Sequence, residues 1–248
     1  MGELYDCAGG EMSDPTVTCV MLTRDRPAMA RRAIRSFQQQ TYSKRVLVIL
    51  DTSEKVFDFA GIDDAKIRAA WSGFERDIGH GRLCNSVNNM ACPSNIICHW
   101  DDDDWSHPDR ISQQVKFLQS SDVDCVGYNE MLFWDETPGH SSASWLYSSH
   151  TPTYCMGTSM MYWRRSWELQ PFPALTKGSD TIWQAGPKRK SVSAVQTEPM
   201  MIASVHGGNV ASRIIPPKPQ QPGRGPIINC WQRAPEWDAR CREVMVLR

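Results

Sequence analysis

Residues 17–51 read VTCVMLTRDRPAMARRAIRSFQQQTYSKRVLVILD, and the fold is decided there. Val17–Leu22 is a short apolar run that reads as a buried strand. It leads into Thr23-Arg24-Asp25-Arg26-Pro27, where proline suits the first turn of a helix. Ala30, Ala33, Ile34 and Phe37 follow at i, i+3, i+4 and i+7, which is one helical face. Val46–Leu50 is a second apolar strand, ending at Asp51-Thr52-Ser53. Strand, helix and strand in so short a span form a βαβ unit, which implies parallel strands covered by helices.

The pattern continues outward. Residues 56–78 suggest a short helix around Ala65–Ala70, with a strand near Trp71. Gly79-His80-Gly81 opens a helix with Leu83, Val87, Met90 and Ala91 on one side. Asn95–Trp100 is another buried strand, and it empties into Asp101-Asp102-Asp103-Asp104. Pro108 starts a third helix, with Ile111, Val115 and Leu118 at helical spacing, and a strand follows at Val123–Tyr128. Short aromatic strands are expected at Met131–Trp134, Ser144–Tyr147 and Met160–Trp163. The stretch 215–226, IIPPKPQQPGRG, reads as an extended tail or linker, and 229–248 holds one short helix. There is no internal repeat.

The 248 residues suffice for one large domain or two small ones, and 41% hydrophobic with 22% charged residues permits a globular core. No apolar run approaches the ~18 residues of a membrane helix. The beginning, MGELYDCAGGEMSD, carries acids where a signal peptide needs a basic head and an apolar body. Nine scattered cysteines with no C-x-x-C pair exclude zinc-ribbon, thioredoxin-like and disulfide-scaffold classes, and reduced thiols in a cytoplasm are expected. Residues 1–150 carry 14 Lys/Arg against 22 Asp/Glu, and residues 151–248 carry 13 against 6. An acidic front and a basic back fit a metal-binding side and a phosphate-binding side, or plain surface variation.

The four aspartates carry the chemistry. Adjacent carboxylates directly after a buried strand repel one another, and a hard divalent cation relieves that repulsion through oxygen ligands. In open α/β sheets ligands bind beyond the carboxyl ends of strands, where this run falls. A D-x-D-x-D-G calcium loop is excluded, because Trp105 and Ser106 stand at its third acid and glycine. The plain alternative is a solvated acidic turn before the helix near Pro108.

The ordered set VTCVMLTRDRP, VLVILDTS, IGHGRLCNSVNNMA and IICHWDDDDW-x-x-PDRI resembles the inverting family 2 glycosyltransferases, phage-type members among them. The resemblance continues in Cys155–Arg165, in Gly178-Ser179-Asp180-Thr181-Ile182-Trp183 and in His206-Gly207-Gly208-Asn209, so it covers about residues 16–210. It implies a GT-A fold: an α/β, Rossmann-like, mostly parallel sheet with helices on both faces and a smaller mixed acceptor-side sheet. A leader (1–15), a nucleotide-sugar-binding half (16–105), an acceptor-binding and catalytic half (106–212) and a proline-rich tail (213–248) complete the expected organisation.

The same resemblance assigns roles. Thr23, Arg24 and Asp51 would hold the nucleotide base, and Arg82 and Asn85 the ribose and diphosphate. Asp101 and Asp103 match the two acids of D-x-D, with Asp103 the direct ligand of Mn2+ or Mg2+, Asp101 turned to the ribose or a metal-bound water and Asp102 beside the nucleotide. His206 would close the metal site, an imidazole suiting manganese better than magnesium, or else is a packed or hydrogen-bonded histidine. Asp180 would be the general base, in a Ser179-Asp180 pair where many members carry Glu-Asp. Alternatively it caps a helix beginning at Thr181. Asp104, Trp105 and Trp183 would face the sugar or acceptor, with orienting the loop the alternative for Asp104 and core filling the alternative for each tryptophan.

A UDP-sugar is the expected donor and a modified base in DNA an expected acceptor, suggested by Arg164, Arg165, Lys188, Arg189, Lys190, Arg213, Lys218 and Arg224. A glycan or small-molecule acceptor, a sugar-1-phosphate nucleotidyltransferase and a non-catalytic sugar- or metal-binding module are the competing readings. The nucleotidyltransferase expects a glycine-rich loop where Thr23–Pro27 has no glycine.

Overall fold

β1 (Val17–Thr23) and β2 (Arg45–Asp51) run parallel, paired from Val17↔Arg45 to Thr23↔Asp51, with α1 (Pro27–Gln38) crossing between them. The computed structural model describes residues 14–62, 64–73, 78–91, 94–209 and 230–246. β3 (Ile67–Trp71) extends the parallel set beyond β2, and β4 (Ile96–His99), reached through α2 (His80–Met90), pairs parallel on the other side of β1. Alternate strand residues face opposite layers, as the period of two requires. Val17, Cys19, Met21, Leu47 and Ile49 pack under α1 and under Ile111, Val115 and Leu118 of α3 (Arg110–Gln119). Val20, Val48, Leu50 and Ile97 pack under Leu83, Cys84 and Val87 of α2, beside Trp167 and Trp183. Helices therefore cover both faces, and each buried branched residue adds about 1.5–3 kcal/mol.

The remaining strands form the mixed part of the sheet. These are β5 (Trp105–Ser106), β6 (Cys125–Asp135), β7 (Ala143–Ser148), β8 (Met161–Trp163), β9 (Arg189–Ser193), β10 (Met201–Val205) and β11 (Trp231–Arg233). The main path runs β11-β7-β6-β8-β4-β1-β2-β3. β8 is antiparallel to both β4 and β6 and joins the two parts into one sheet. β10 lies parallel to β6 and antiparallel to β5, which brings Ser204–His206 beside the four aspartates. Two short helices, α4 (Arg164–Leu169) and α5 (Ser179–Trp183), follow β8, and α6 (Asp238–Met245) closes the described chain.

Three features depart from the sequence reading. Ala65–Ala70 is not a helix: Ile67–Trp71 is strand β3, because the free edge of β2 supplies backbone partners that outweigh the helix preference of its alanines. The strands expected at 123–128 and 131–134 are one strand, β6, irregular between Tyr128 and Glu130. Its first half pairs with β8 and β9 and its second half with β7 and β10, so one strand serves two parts of the sheet. Residues 230–246 are built into the fold, with Cys241 and Met245 buried against Leu132, Trp134 and Ile202. The proline-rich stretch 215–226 lies outside the described residues. Among the described residues no helix is long and apolar enough to cross a membrane.

Candidate active site

The four aspartates leave β4 on a loop pinned from both sides. The Trp100 indole donates to the Ala33 carbonyl at 3.0 Å, and the Arg110 guanidinium stacks on Trp100 while donating to the carbonyls of His99 (2.9 Å) and Thr158 (3.2 Å). The carboxylates then part. Asp102 is buried and accepts from Thr23 Oγ1 at 2.8 Å and from Arg26 Nη2 at 2.6 Å. Asp103 Oδ2 accepts from Arg26 Nη1 at 2.9 Å, His206 Nε2 at 3.0 Å and Asn209 Nδ2 at 3.4 Å. Asp104 accepts from the Thr158 hydroxyl and from the Ser204 amide at 3.0 Å. Asp101 faces the open cleft.

One carboxylate oxygen each of Asp101, Asp103 and Asp104 lies within 4.8 Å of the others, a hard-oxygen set that suits Mn2+ or Mg2+. The electrostatics agree with such a ligand. Loss of hydration within the cleft walls, then the charge of Asp103, push the Asp101 and Asp104 carboxyls above the usual range, Asp104 well above it. Burial also opposes the charge on Asp103, but the hydrogen bond from His206 and the Arg26 guanidinium override it and hold that carboxyl low. Burial likewise pushes the Asp102 carboxyl up, to about 8. A quartet with one ionised centre and three reluctant neighbours is therefore short of positive charge, which is what a divalent cation supplies.

The cleft above the quartet has a volume of about 990 Å³. Thr23, Arg24, Asp25, Arg26 and Thr52 line one side. His80, Cys84, Gly157, Asp180 and Lys177 line another, and Tyr147, Tyr154, Met156 and Trp231 a third. Asp180 lies in the first turn of α5, which begins after Gly178 in a left-handed conformation (φ 74°), so it is not the residue capping that helix. Its carboxylate rests on Gly157, where a Cβ would come within 2.1 Å of Asp180 Oδ2. Burial and then the nearby charges of Asp101 and Asp180 raise the Cys84 thiol, which places both acids about one buried side chain.

Several expected site residues stand elsewhere. Asp51 does not line the cleft: its carboxylate accepts from the amides of Ser53 (2.9 Å) and Phe57 (2.7 Å) and shapes the loop after β2, leaving Thr52 as the cleft residue. Arg82 is exposed and off the cleft, because the turn of α2 presents His80, Leu83, Cys84 and Val87 instead. Asn85 clamps the 167–172 segment, donating to the Phe172 carbonyl (2.9 Å) and accepting from Trp167 Nε1 (2.8 Å) and the Phe172 amide (3.0 Å). Trp105 and Trp183 are core residues. Trp105 packs with Leu132 and Ile202, and Trp183 packs against Tyr162 and Phe172 at centroid distances of 4.8 and 5.1 Å. His206 braces Asp103: the Gly208 amide donates to its Nδ1 at 3.0 Å, and its Nε2 lies 3.0 Å from Asp103 Oδ2.

The sequence reading missed Arg26, His80, Thr158 and Asn209. Arg26 and His80 had a signal: each stands at the start of a helix that follows a strand end, with its side chain free to turn back over the sheet edge. Thr158 and Asn209 stand in stretches that carry the resemblance, but nothing there marks their partners, 54 and 106 residues away.

No protein-family model matches the chain, and no curated protein matches it in sequence. Solved structures match in fold. S. aureus TarS 1–349 in complex with UDP-GlcNAc aligns over 81% of this chain and 62% of its own, at 12% identity and a TM-score of 0.61. A structure of S. aureus TarS covers 77% of this chain and 37% of its own, at 14% identity and 0.59. The mannosyltransferase PcManGT from Pyrobaculum calidifontis, in complex with GDP-Man and Mn2+, covers 82% and 60%, at 16% identity and 0.53. The chain thus spans between 37% and 62% of these proteins' lengths. At such identities the likeness is one of fold, and the fold is GT-A.

Proposed function

We propose that this protein is a metal-dependent glycosyltransferase of the inverting type, which moves a sugar from a nucleoside-diphosphate sugar to an acceptor hydroxyl. The observation that carries the reading is one cleft, at the carboxyl ends of β1 and β4, holding both the Asp101–Asp103–Asp104 oxygen set and a separate carboxylate, Asp180. Solved structures of the same fold hold UDP-GlcNAc in one case and GDP-Man with Mn2+ in another, which supports a nucleotide sugar as donor and leaves UDP and GDP both in play.

Asp101, Asp103 and Asp104 would hold the cation, which when bound neutralises charge developing on the departing diphosphate. Thr23, Arg24 and Thr52 form the donor side of the cleft. Asp180 accepts the proton of the acceptor hydroxyl as its oxygen bonds to the anomeric carbon and the bond to the diphosphate breaks. One base opposite one leaving group gives a single displacement with inversion, and no enzyme nucleophile is needed. On this reading 16–105 serves the donor and 106–212 the acceptor. The seven described cysteines are free, which supports a reducing, cytoplasmic setting.

For the acceptor, the placement of the basic residues matters. Lys188 pairs with Asp122, Arg164 with Glu168, Arg165 lies over Trp163 and Lys190 over Phe117, all away from the cleft. Arg213, Lys218 and Arg224 lie outside the described residues. The cleft has instead an aromatic wall, made by Tyr147, Tyr154 and Trp231. That wall favours a neutral ring-shaped acceptor such as a glycan over a modified base in DNA. Retention of duplex or single-stranded DNA at low salt would favour the DNA reading instead.

A donor screen by released nucleoside diphosphate, with Mn2+ and with chelator, tests the whole proposal. D103A and D180N are each expected to lower turnover at least about 100-fold with unchanged far-UV circular dichroism. Full activity in both variants, or turnover indifferent to chelator, defeats it.

A further inference from the structure

Arg26 is the one guanidinium, among the described residues, bonded to side-chain carboxylates of the quartet. It forks across two of them, Nη2 on Asp102 at 2.6 Å and Nη1 on Asp103 at 2.9 Å, with Nη1 also 3.4 Å from His206 Nε2. Its side chain is a quarter exposed and lines the cleft, so it faces arriving donor as well as the acids beneath. The loop that aims it is built for the purpose. Asp25, immediately before it, is the one described non-glycine residue at positive φ (51°). That strained conformation is held by the Asp25 amide donating to Ser53 Oγ at 2.7 Å and by the Glu54 amide donating to Asp25 Oδ1 at 2.9 Å. Pro27 then fixes the exit into α1.

Asp103 is shared. It belongs to the oxygen set that suits a divalent cation, and it is also one prong of the Arg26 fork. A planar guanidinium matches carboxylate and phosphate oxygens equally well, and its charge repels a second cation at close range. Resting on the donor-site reading above, we infer that Arg26 is a positioning residue that opposes the cation and receives the diphosphate. With no nucleotide bound, the guanidinium holds Asp103 and weakens the site for a metal. A nucleoside diphosphate offers Arg26 new oxygens, draws it off Asp103 and leaves that carboxylate to the cation. Metal and donor then bind together, and each raises the other's affinity by the same factor.

The test reads two affinities whose shifts have opposite signs. In R26Q, Mn2+ alone, titrated in the absence of nucleotide, should bind about tenfold tighter through loss of the nearby charge. UDP at saturating Mn2+, or GDP where UDP does not bind, should bind about tenfold weaker through loss of the fork. R26K should shift both in the same directions by a smaller factor, because a point ammonium keeps the charge but cannot fork two carboxylates. It carries the test if R26Q does not fold. A purely structural role would weaken both affinities together. Such a common weakening, or an unchanged affinity for Mn2+, in whichever variant folds overturns the inference while leaving the donor site standing. Wild-type protein that binds neither Mn2+ nor nucleotide overturns the donor-site reading itself, and the role of Arg26 with it.

Discussion

Two glycines show how one added methyl group separates fold from function. A Cβ on Gly157 would stand 2.1 Å from Asp180 Oδ2, the free end of a side chain that can swing away. G157A should therefore fold with a loss of about 1 kcal/mol or less yet displace the proposed base. We expect kcat to fall roughly 10–100-fold while Mn2+ and nucleotide affinities hold. A drop in nucleotide affinity instead would show that Gly157 belongs to the donor side. A Cβ on Gly81 meets something rigid, the backbone oxygen of Pro173 at 1.9 Å, across a segment also tied by the Gly81 amide to the Leu175 carbonyl at 2.9 Å. G81A should cost about 2–4 kcal/mol in denaturant unfolding, and wild-type stability in that variant would refute the close approach. At this scale the sequence revealed the Asp101–Asp104 run, because four like charges after an apolar strand are costly without a ligand. It could not reveal that Asp51 spends its carboxylate on the loop after β2, or that Asn85 spends its amide on the 167–172 segment, a partner set by how distant segments meet.

Elements with a strong local period were legible to within a residue or two. α1 begins at Pro27 and β2 ends at Asp51, as the apolar spacing requires. Elements made by pairing were not. β3 has four exposed residues and no alternation to read, and the two-residue β5 exists only because β10 lies against it. The junction of β11 and α6 with β7 is of the second kind and depends on one carboxylate. Asp238 Oδ1 accepts from the Ser144 amide (2.9 Å), the Ser144 hydroxyl (2.6 Å) and Arg233 Nη1 (2.9 Å). The Arg233 hydrogen bond, against some burial and with help from Ser144, holds the Asp238 carboxyl well below the usual range. A carboxyl lower in the folded than in the unfolded chain stabilises fully above its unfolded value, near pH 4, and loses that contribution as pH falls further. With 29% of the side chain exposed, the contribution is about 1 kcal/mol. D238N should lose that amount at neutral pH and should flatten the stability-against-pH curve below pH 4, measured by urea midpoints. Parallel curves for the two proteins would remove Asp238 as the cause.

Across the whole molecule, the cleft lies where the parallel part of the sheet meets the mixed part. Its floor comes from β4, one bracing histidine from the end of β10, and its walls from the β1–α1 loop, α2 and the 154–158 segment. The parallel part was readable because each βαβ step leaves a local signature. In the mixed part the strands at 144–147 and 160–163 were readable, as β7 and β8. The sharing of β6 between both parts was not, because it runs through an irregularity that no sequence period marks. This arrangement has a thermodynamic consequence. A ligand that touches residues from both parts binds only when they are assembled, so it should stabilise the entire fold. At a hundredfold excess over its Kd such a ligand adds about 2.7 kcal/mol, or about 5–11 °C in Tm for a domain of this size. We expect Mn2+ with UDP or GDP to produce a shift of that order, and chelator to abolish most of it. D180N should retain the shift, because the role proposed for Asp180 is on the acceptor's proton and not on the donor. D103A should lose the part that depends on Mn2+, because a carboxylate of the oxygen set is gone. A wild-type melting temperature indifferent to metal and nucleotide, or a D103A shift equal to that of the wild type, would place the donor somewhere other than this cleft.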